Sequence, residues 1–444
     1  MEYHEALRPQ FHFTAAKNWL NDPNGLVYYR GVYHLFFQYT PGSLKWGPNC
    51  WGHAVSSDLL HWKELTPALA PDDYGWIWSG SAVVDWNNTS GLGQNNEPPL
   101  VALYTTGNGK ENLCVQSLAF STDAGATWRK YASNPVLPHV MAQNRDPKVI
   151  WDDVRRQWVM ALYLDAHEFA LFGSPDLLHW HELSRLTLPG DGECPDFFWL
   201  PLDGKPNCRK WIFTGASKCY QVGTFDGIRF IPETEPMIWD TGRDCYAAQT
   251  WSDLPDHRRV QIAWMNGGRY PGMPFNQQMN LPCELTLKNT PEGIRLCRQP
   301  IAEIAGLQES PQQLHDVAVP VGRNGLEPWS RLPCDLLDLT LTIEPETATA
   351  FDVIIGDEPL RYLVNEEMLV GHGTAMKLPR HNGTVKLRII RDKTSWEIFG
   401  NDGETSMSSC LLPHPEAAGL TLRPLYGSIR LVNAARYALN SIWP

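Results

Sequence analysis

The chain has 444 residues, of which 43% are hydrophobic and 19% charged, enough for packed cores and more than one domain ordinarily holds. Lys and Arg number 37 against 49 Asp and Glu, a net charge of −12, which argues against nucleic acid or an anionic membrane as partner. No apolar run reaches the roughly 18 residues of a spanning helix, and Met1-Glu2-Tyr3-His4-Glu5 has neither the basic start nor the apolar stretch of a signal peptide. The ten cysteines sit mostly in or beside apolar runs without disulfide-framework spacing, so reduced thiols and a cytoplasmic location are expected, or secretion if a leader has been removed. With no Cys-x-x-Cys and no His-x-x-x-His, no metal or other cofactor is expected. The 14 histidines show no evident partners and are read as structural.

In chain order, the first informative stretch is Asn18-Trp19-Leu20-Asn21-Asp22-Pro23-Asn24-Gly25. Asp-Pro-Asn-Gly is turn chemistry, since Pro fixes φ and Asn or Gly accepts positive φ. Asp22 is therefore expected at the rim of a sheet, with amide donors and the Trp19 plane beside it. Two strands should follow, through Leu26-Val27-Tyr28-Tyr29 and Val32-Tyr33-His34-Leu35-Phe36-Phe37, joined by Arg30-Gly31. Further on, Asn144-Arg145-Asp146-Pro147-Lys148-Val149 sets an Asp before a strand, and Gly192-Glu193-Cys194-Pro195-Asp196 sets a Glu in a punctuated turn before an apolar run. Singly each reads as a surface turn; in order they form a set of three carboxylates.

An internal repeat gives the architecture. Ser57-Asp58-Leu59-Leu60-His61-Trp62 recurs as Pro175-Asp176-Leu177-Leu178-His179-Trp180, with related turns at Asp123, Asp226 and Glu292. Five units of about 50–65 residues, each long enough for four short strands, predict a five-bladed β-propeller. Asp22, Asp146 and Glu193 fall early in the first, third and fourth units, so equivalent positions would bring them together at the centre. The propeller is expected over 1–298 and a linker over 299–313, with a short helix within 299–308. A β-sandwich is expected over 314–444, with mixed turns to Pro333 and then alternating strands at 336–343, 351–355, 385–390 and 395–399. Its expected role is structural, and nothing legible requires a particular oligomeric state.

The set resembles glycoside hydrolase family 32, the β-fructosidases: invertases, levanases, inulinases and their fructosyltransferase relatives. The likeness rests on Trp19-Leu20-Asn21-Asp22-Pro23-Asn24-Gly25 (with Leu20 where Met is usual), Arg145-Asp146-Pro147 and Glu193-Cys194. It is extended by Phe36-Phe37-Gln38-Tyr39, Trp51-Gly52-His53, Ser79-Gly80-Ser81 and the stretch from Trp396 to Glu404. The resemblance implies Asp22 as nucleophile, Glu193 as general acid/base and Asp146 as transition-state stabiliser, with Arg145 keeping Asp146 ionised and oriented. Retaining chemistry needs one carboxylate to attack and a second, protonated, to serve the leaving oxygen. By the same likeness Asn21, Gln38, Trp46, Trp78 and Ser79 line the pocket for the terminal fructose, with Trp78 where Phe is commoner. Trp19 is a further candidate sugar contact, and Cys194 enters through its motif. The stretch from Trp264 to Met279 departs from the family pattern, which leaves the leaving-group preference open.

The reading is a β-fructofuranosidase acting on sucrose, fructo-oligosaccharides or fructans, with a neutral sugar as its partner. A fructosyltransferase of the same family is the alternative. A non-catalytic sugar-binding propeller would be favoured by loss of a carboxylate, and an arabinan-type hydrolase by different motifs.

Overall fold

The computed structural model describes residues 3–109, 113–413 and 418–443. Its regular structure is almost wholly β. The first sheet takes Asn18–Tyr29, Val32–Thr40, Cys50–Ser56 and Lys63–Leu69, and the second Gly75–Val84, Leu100–Asn108, Val115–Ser121 and Arg129–Lys130. The third takes Arg145–Asp152, Gln157–Asp165, Glu168–Ser174 and His181–Thr187, and the fourth Asp196–Pro201, Arg209–Thr214, Cys219–Phe225 and Phe230–Pro232. The fifth takes Tyr246–Thr250, Val260–Met265, Cys283–Thr290 and Gly293–Pro300. Within each sheet these strands pair antiparallel in sequence order. The first strands of successive sheets touch, and that of the fifth returns to touch that of the first, so the five first strands close a ring. Phe275–Asn276, an excursion from the fifth unit, adds parallel to Asn18 and Trp19 and stitches the ring shut.

The repeated sequence motif is the turn between the third and fourth strands. Asp58 Oδ1 accepts from the amides of Leu60 and His61 at 3.0 and 2.8 Å, and Asp176 Oδ1 from those of Leu178 and His179 at 2.9 Å. Asp226 does the same for Ile228 and Arg229, and Asp123 takes the Thr127 amide. The following Trp62, Trp128 and Trp180 each donate an indole N–H to a carbonyl three residues back. These are Asx turns closed by an aromatic.

Asp-Pro-Asn-Gly departs from expectation. It is no turn: it lies inside the strand Asn18–Tyr29, whose register against the second strand slips between Leu20 and Pro23 and again between Asn24 and Val27. Pairing with Val32–Thr40 overrides the local turn preference, and the turn-forming residues become bulges that re-aim Asp22. Gly25 holds φ +55, and a Cβ there would sit 2.5 Å from Phe36. The hairpin at Arg30-Gly31 is as expected, both residues at positive φ.

Beneath the first residues of the ring runs a buried polar belt. Lys148 Nζ reaches Thr250 O at 2.7 Å and Asp196 Oδ1 at 3.3 Å with both side chains buried, and Asp196 Oδ2 accepts from Thr250 N at 2.6 Å. Ser81 Oγ donates to Pro147 O at 2.8 Å and accepts from Val149 N at 2.9 Å, and Gln249 Nε2 donates to Gly80 O at 3.1 Å. First strands from four of the sheets are cross-linked here, and the named buried polar groups find partners, as burial demands, except Gln249 Oε1.

After a 3-10 turn at Ala302–Leu307, which takes the place of the expected helix, two further sheets follow. One is six-stranded, containing Gln312–Pro320, Leu337–Glu344, Val385–Asp392, Ser395–Gly400, Thr405–Cys410 and Ser428–Ala438. The other is five-stranded, containing Ala350–Ile355, Glu358–Leu363 and Leu420–Pro424. Leu337, Leu339, Leu341 and Ile343 of one share a core with Phe351, Val353, Leu360 and Leu422 of the other, which makes a sandwich. The four predicted strands are present; the stretch expected to hold only turns up to Pro333 contains the strand Gln312–Pro320, whose alternation is too polar to have signalled it.

A second core joins the two halves. Phe11, Ile301, Ile304 and Leu307 pack with Ile390, Phe399, Leu439 and Trp443. His12 bridges two buried carboxylates of the six-stranded sheet, with Nδ1 2.8 Å from Asp392 and Nε2 2.9 Å from Glu397. The expectation that no histidine has a clear partner fails here, because the partners lie some 380 residues away.

Candidate active site

Asn21, Asp22, Gln38, Trp46, Trp78, Ser79, Arg145, Asp146 and Glu193, all singled out from sequence, line one cavity of about 400 Å³. Each sheet of the ring contributes: the first strands supply Asp22, Ser79, Asp146 and Tyr246, and Glu193 stands just before the fourth. Asp146 (φ +65), Glu193 (φ +56) and Cys194 (φ +35) are in the left-handed region, which non-glycine residues occupy at a cost of order 1–3 kcal/mol each and which clusters at functional sites. The surroundings enforce it. Asp146 N donates to Thr105 Oγ1 at 2.9 Å. Asp191, itself buried, accepts from the amides of Gly192, Ser217 and Cys219 at 2.7 Å and so pins the loop that carries Glu193.

Ser79 Oγ donates to Asp22 Oδ2 at 2.6 Å. Cys194 lies between two of the carboxylates: its amide donates to Asp146 Oδ2 at 3.0 Å, and its Sγ is 3.4 Å from that oxygen and 3.8 Å from Asp22 Oδ2. Glu193 is gripped from two sides, by Arg145 Nη2 at 2.6 Å on Oε1 and by the Tyr246 hydroxyl at 2.6 Å on Oε2. Trp19 does not line the cavity: its indole N–H donates to Asn21 Oδ1 at 2.9 Å and its ring meets Trp264 edge-on. Trp46 is half exposed at the rim, edge-on to Trp76.

Electrostatics correct two expectations. Burial raises Asp22 above its ordinary value, against the lowering by Ser79 and Asn21. Burial likewise pushes Asp146 up to about 7, with Glu193 and Asp22 adding like charge and Arg145 opposing. Arg145 is expected to keep Asp146 ionised; desolvation outweighs it. Arg145 also makes its short contact to Glu193, its nearest approach to Asp146 being 3.7 Å.

Sequence reasoning missed Asn49, Gln143 and Tyr246, and named Trp264 only as part of a departing segment; all four line the cavity. The repeat could have found Tyr246, which opens the first strand of the fifth unit. Away from the cavity, Glu292, His381 and Glu404 bring three ligand-capable atoms within 4.8 Å of one another, with His381 paired to both acids at 3.6 and 3.4 Å.

Residues 12–300 match the family described as "Glycosyl hydrolases family 32 N-terminal domain", and residues 364–436 its "Glycosyl hydrolases family 32 C terminal". The chain belongs to glycoside hydrolase family 32. It is 38% identical to a levanase of Bacillus subtilis (strain 168), over 99% of this chain and 72% of that one. It is 32% identical to an extracellular exo-inulinase of Aspergillus awamori, over 99% and 96%. The crystal structure of exo-inulinase from A. awamori superposes with a TM-score of 0.89 at 30% identity over the whole of both chains. That of a fructofuranosidase from Schwanniomyces occidentalis complexed with fructose gives 0.86 at 27%, over 99% of both. As a family 32 member the protein is a β-fructosidase, a glycoside hydrolase. No helix among the described residues is long and apolar enough to cross a membrane.

Proposed function

We propose that the protein removes terminal β-D-fructofuranosyl units from fructans, fructo-oligosaccharides or sucrose by double displacement, with retention of configuration. Asp22 attacks C2 of the fructosyl unit while Glu193 gives its proton to the departing glycosidic oxygen; the C2–O bond breaks and a C2–Asp22 ester forms. Water then loses a proton to Glu193, attacks C2 and releases Asp22. Asp146, with Arg145 beside it, balances the positive charge that develops at C2 and the ring oxygen. Gln38, Asn21, Trp78 and Ser79 hold the sugar. The single observation that carries this reading is the convergence of three buried or half-buried carboxylates from three sheets in one sugar-sized cavity. Tyr246 and Arg145 orient Glu193, and the leaving oxygen takes the place of one of these donors when substrate enters.

We read the five ringed sheets as the five blades of one propeller followed by a linker and a sandwich; the closed ring and the break after Pro300 support this, and the expected boundaries at 298 and 313 move to the strand ends at Pro300 and Gln312. Buried free thiols such as Cys50, Cys245 and Cys283 favour a reducing compartment, whereas the exo-inulinase relatives are named extracellular; fractionation of producing cells decides between them.

The test is product analysis on sucrose, inulin and levan side by side, with the anomer of the first-formed fructose followed by NMR. Free β-fructose is expected, and loss of at least about 10³-fold in kcat for Asp22→Ala and for Glu193→Ala without unfolding. An α-anomer first, or Asp22→Ala keeping a tenth of its activity, would sink the assignment. Longer oligosaccharides as main products would mean transfer.

A further inference from the structure

The first strands of the ring have two ends, and the active-site cavity occupies only one. At the other end lies a second cavity of about 270 Å³. It is reached by following four of the five strands past the polar belt: from Ser79 to Val84 and Trp86, from Asp146 to Trp151, from Glu193 to Trp199, from Tyr246 to Asp253. At about 3.3 Å per residue the two chambers lie roughly 20 Å apart, and the belt of Lys148, Asp196 and Thr250 separates them.

Three features make the second chamber a built site. First, its indoles are fixed. Trp86, 55% exposed, has its N–H held by Asp253 Oδ1 at 2.9 Å, while Asp253 Oδ2 takes the Val84 amide at 2.9 Å. Trp199 has the Arg209 guanidinium 4.0 Å over its ring and His257 alongside at 5.9 Å. Second, hydrogen-bonding capacity is left over. Arg259 lines the chamber, and its buried Nε–H meets no acceptor among the described residues, a state that normally calls for an unseen partner. Third, the charge is balanced. Arg259 interacts with Asp196 and Asp253, and Arg258 is tied to Glu284 and Glu303, so the chamber has no net attraction for an anion.

Fixed aromatic faces beside paired donors and acceptors suit a neutral, hydroxyl-rich ring, apolar on its faces and polar at its edge. We propose that this chamber is a second saccharide-binding site, separate from the catalytic cavity, that takes one or two units of a fructan through Trp86, Trp199 and Arg259. The choice of sugar rests on the function proposed above. The gain is local concentration: a polymer held at one end of the ring presents its other ends to the catalytic mouth.

The experiment uses the full chain with Asp22→Ala, so that sugar binds but is not cleaved, titrated calorimetrically with 1-kestose. Two sites are expected. Adding Trp86→Ala should leave one, and Trp86→Phe, which keeps a ring face, should retain two; the melting temperature serves as folding control. In the active enzyme Trp86→Ala should lower the ratio of levan to sucrose efficiency by about fivefold or more, the effect of losing one aromatic anchor. His257→Ala, at the exposed rim, gives an independent second probe in the same direction. A single site in the Trp86-intact protein, or two sites surviving both Trp86→Ala and His257→Ala, would overturn the proposal. Either result leaves the hydrolase reading untouched, because that reading is judged by the products of the active enzyme.

Discussion

The carboxylates of the pocket are held under tension. Burial and two like charges outweigh Arg145 and push Asp146 up to about 7. A carboxyl whose folded pKa is raised contributes stability that is present below its unfolded value of about 4 and lost as pH rises through about 7. Asp146→Asn should therefore raise the melting temperature at pH about 8 and change it little at pH about 4, while abolishing turnover. A lower melting temperature at pH 8 would mean that Asp146 is a net structural support. Ser79→Ala removes the hydroxyl that lowers Asp22. It should move the acid limb of kcat/KM to higher pH and cost about tenfold, the worth of one hydrogen bond to a charged group; an unmoved limb would separate Asp22 from that titration. The three carboxylates were legible in the sequence because each sits in punctuated chemistry, Asp-Pro, Arg-Asp-Pro and Glu-Cys-Pro. Tyr246 lacks such a motif: among 15 Tyr and 19 Trp only its place at the head of the fifth unit marks it.

The sheets tell how far local chemistry reaches. The repeat at Asp58, Asp123, Asp176 and Asp226 could be read because a chain that reverses at the same place in successive sheets needs the same side-chain oxygen there. Glu292 departs: its turn between Thr290 and Gly293 is a tight hairpin without the carboxylate cap. Asp-Pro-Asn-Gly was misread because pairing with a neighbouring strand, a non-local term, turned four turn-formers into bulges. The belt rests on non-local contacts throughout. Lys148→Met would leave Asp196 buried with its cation gone, at a cost of about 3–5 kcal/mol. Denaturant unfolding should show that loss in the midpoint with little change in slope, and a cost under about 1 kcal/mol would make the pair dispensable.

The two halves are bolted together as one body. Trp443 Nε1 donates to Pro9 O at 2.7 Å, and Arg298, buried, lies 3.5 Å from Asp240 and 3.8 Å from Glu397. His12 sits at the centre of this seam. Burial disfavours its charge, but hydrogen bonds to Asp392 and Glu397 win and raise it to about 9. A histidine raised in the fold contributes stability fully present below its unfolded value of about 6.5 and lost as pH rises through about 9. Calorimetry at pH about 7 should show a single transition whose temperature falls as pH rises from about 6.5 through about 9, and His12→Ala should lower it and flatten that slope. Two separated transitions at neutral pH would refute the bolt. Four of the sandwich strands were legible from their alternation, whereas Gln312–Pro320 and the seam were not, since nothing in residues 11–13 names partners in the last quarter of the chain.

The belt of Lys148, Asp196 and Thr250 makes the catalytic cavity a cul-de-sac. Whatever enters must back out through the same mouth, so under the proposed removal of terminal units a cleaved fructose would block the next unit until it diffuses away, and the shortened chain would leave the cavity first. A dead end allows no threading. Digestion of levan by the Trp86→Ala variant, which lacks the second hold, stopped at low conversion, should therefore yield free fructose and a population of chains each trimmed slightly, with intermediates of every length. A mixture of untouched chains and fully consumed ones would show that the enzyme keeps its hold between cuts.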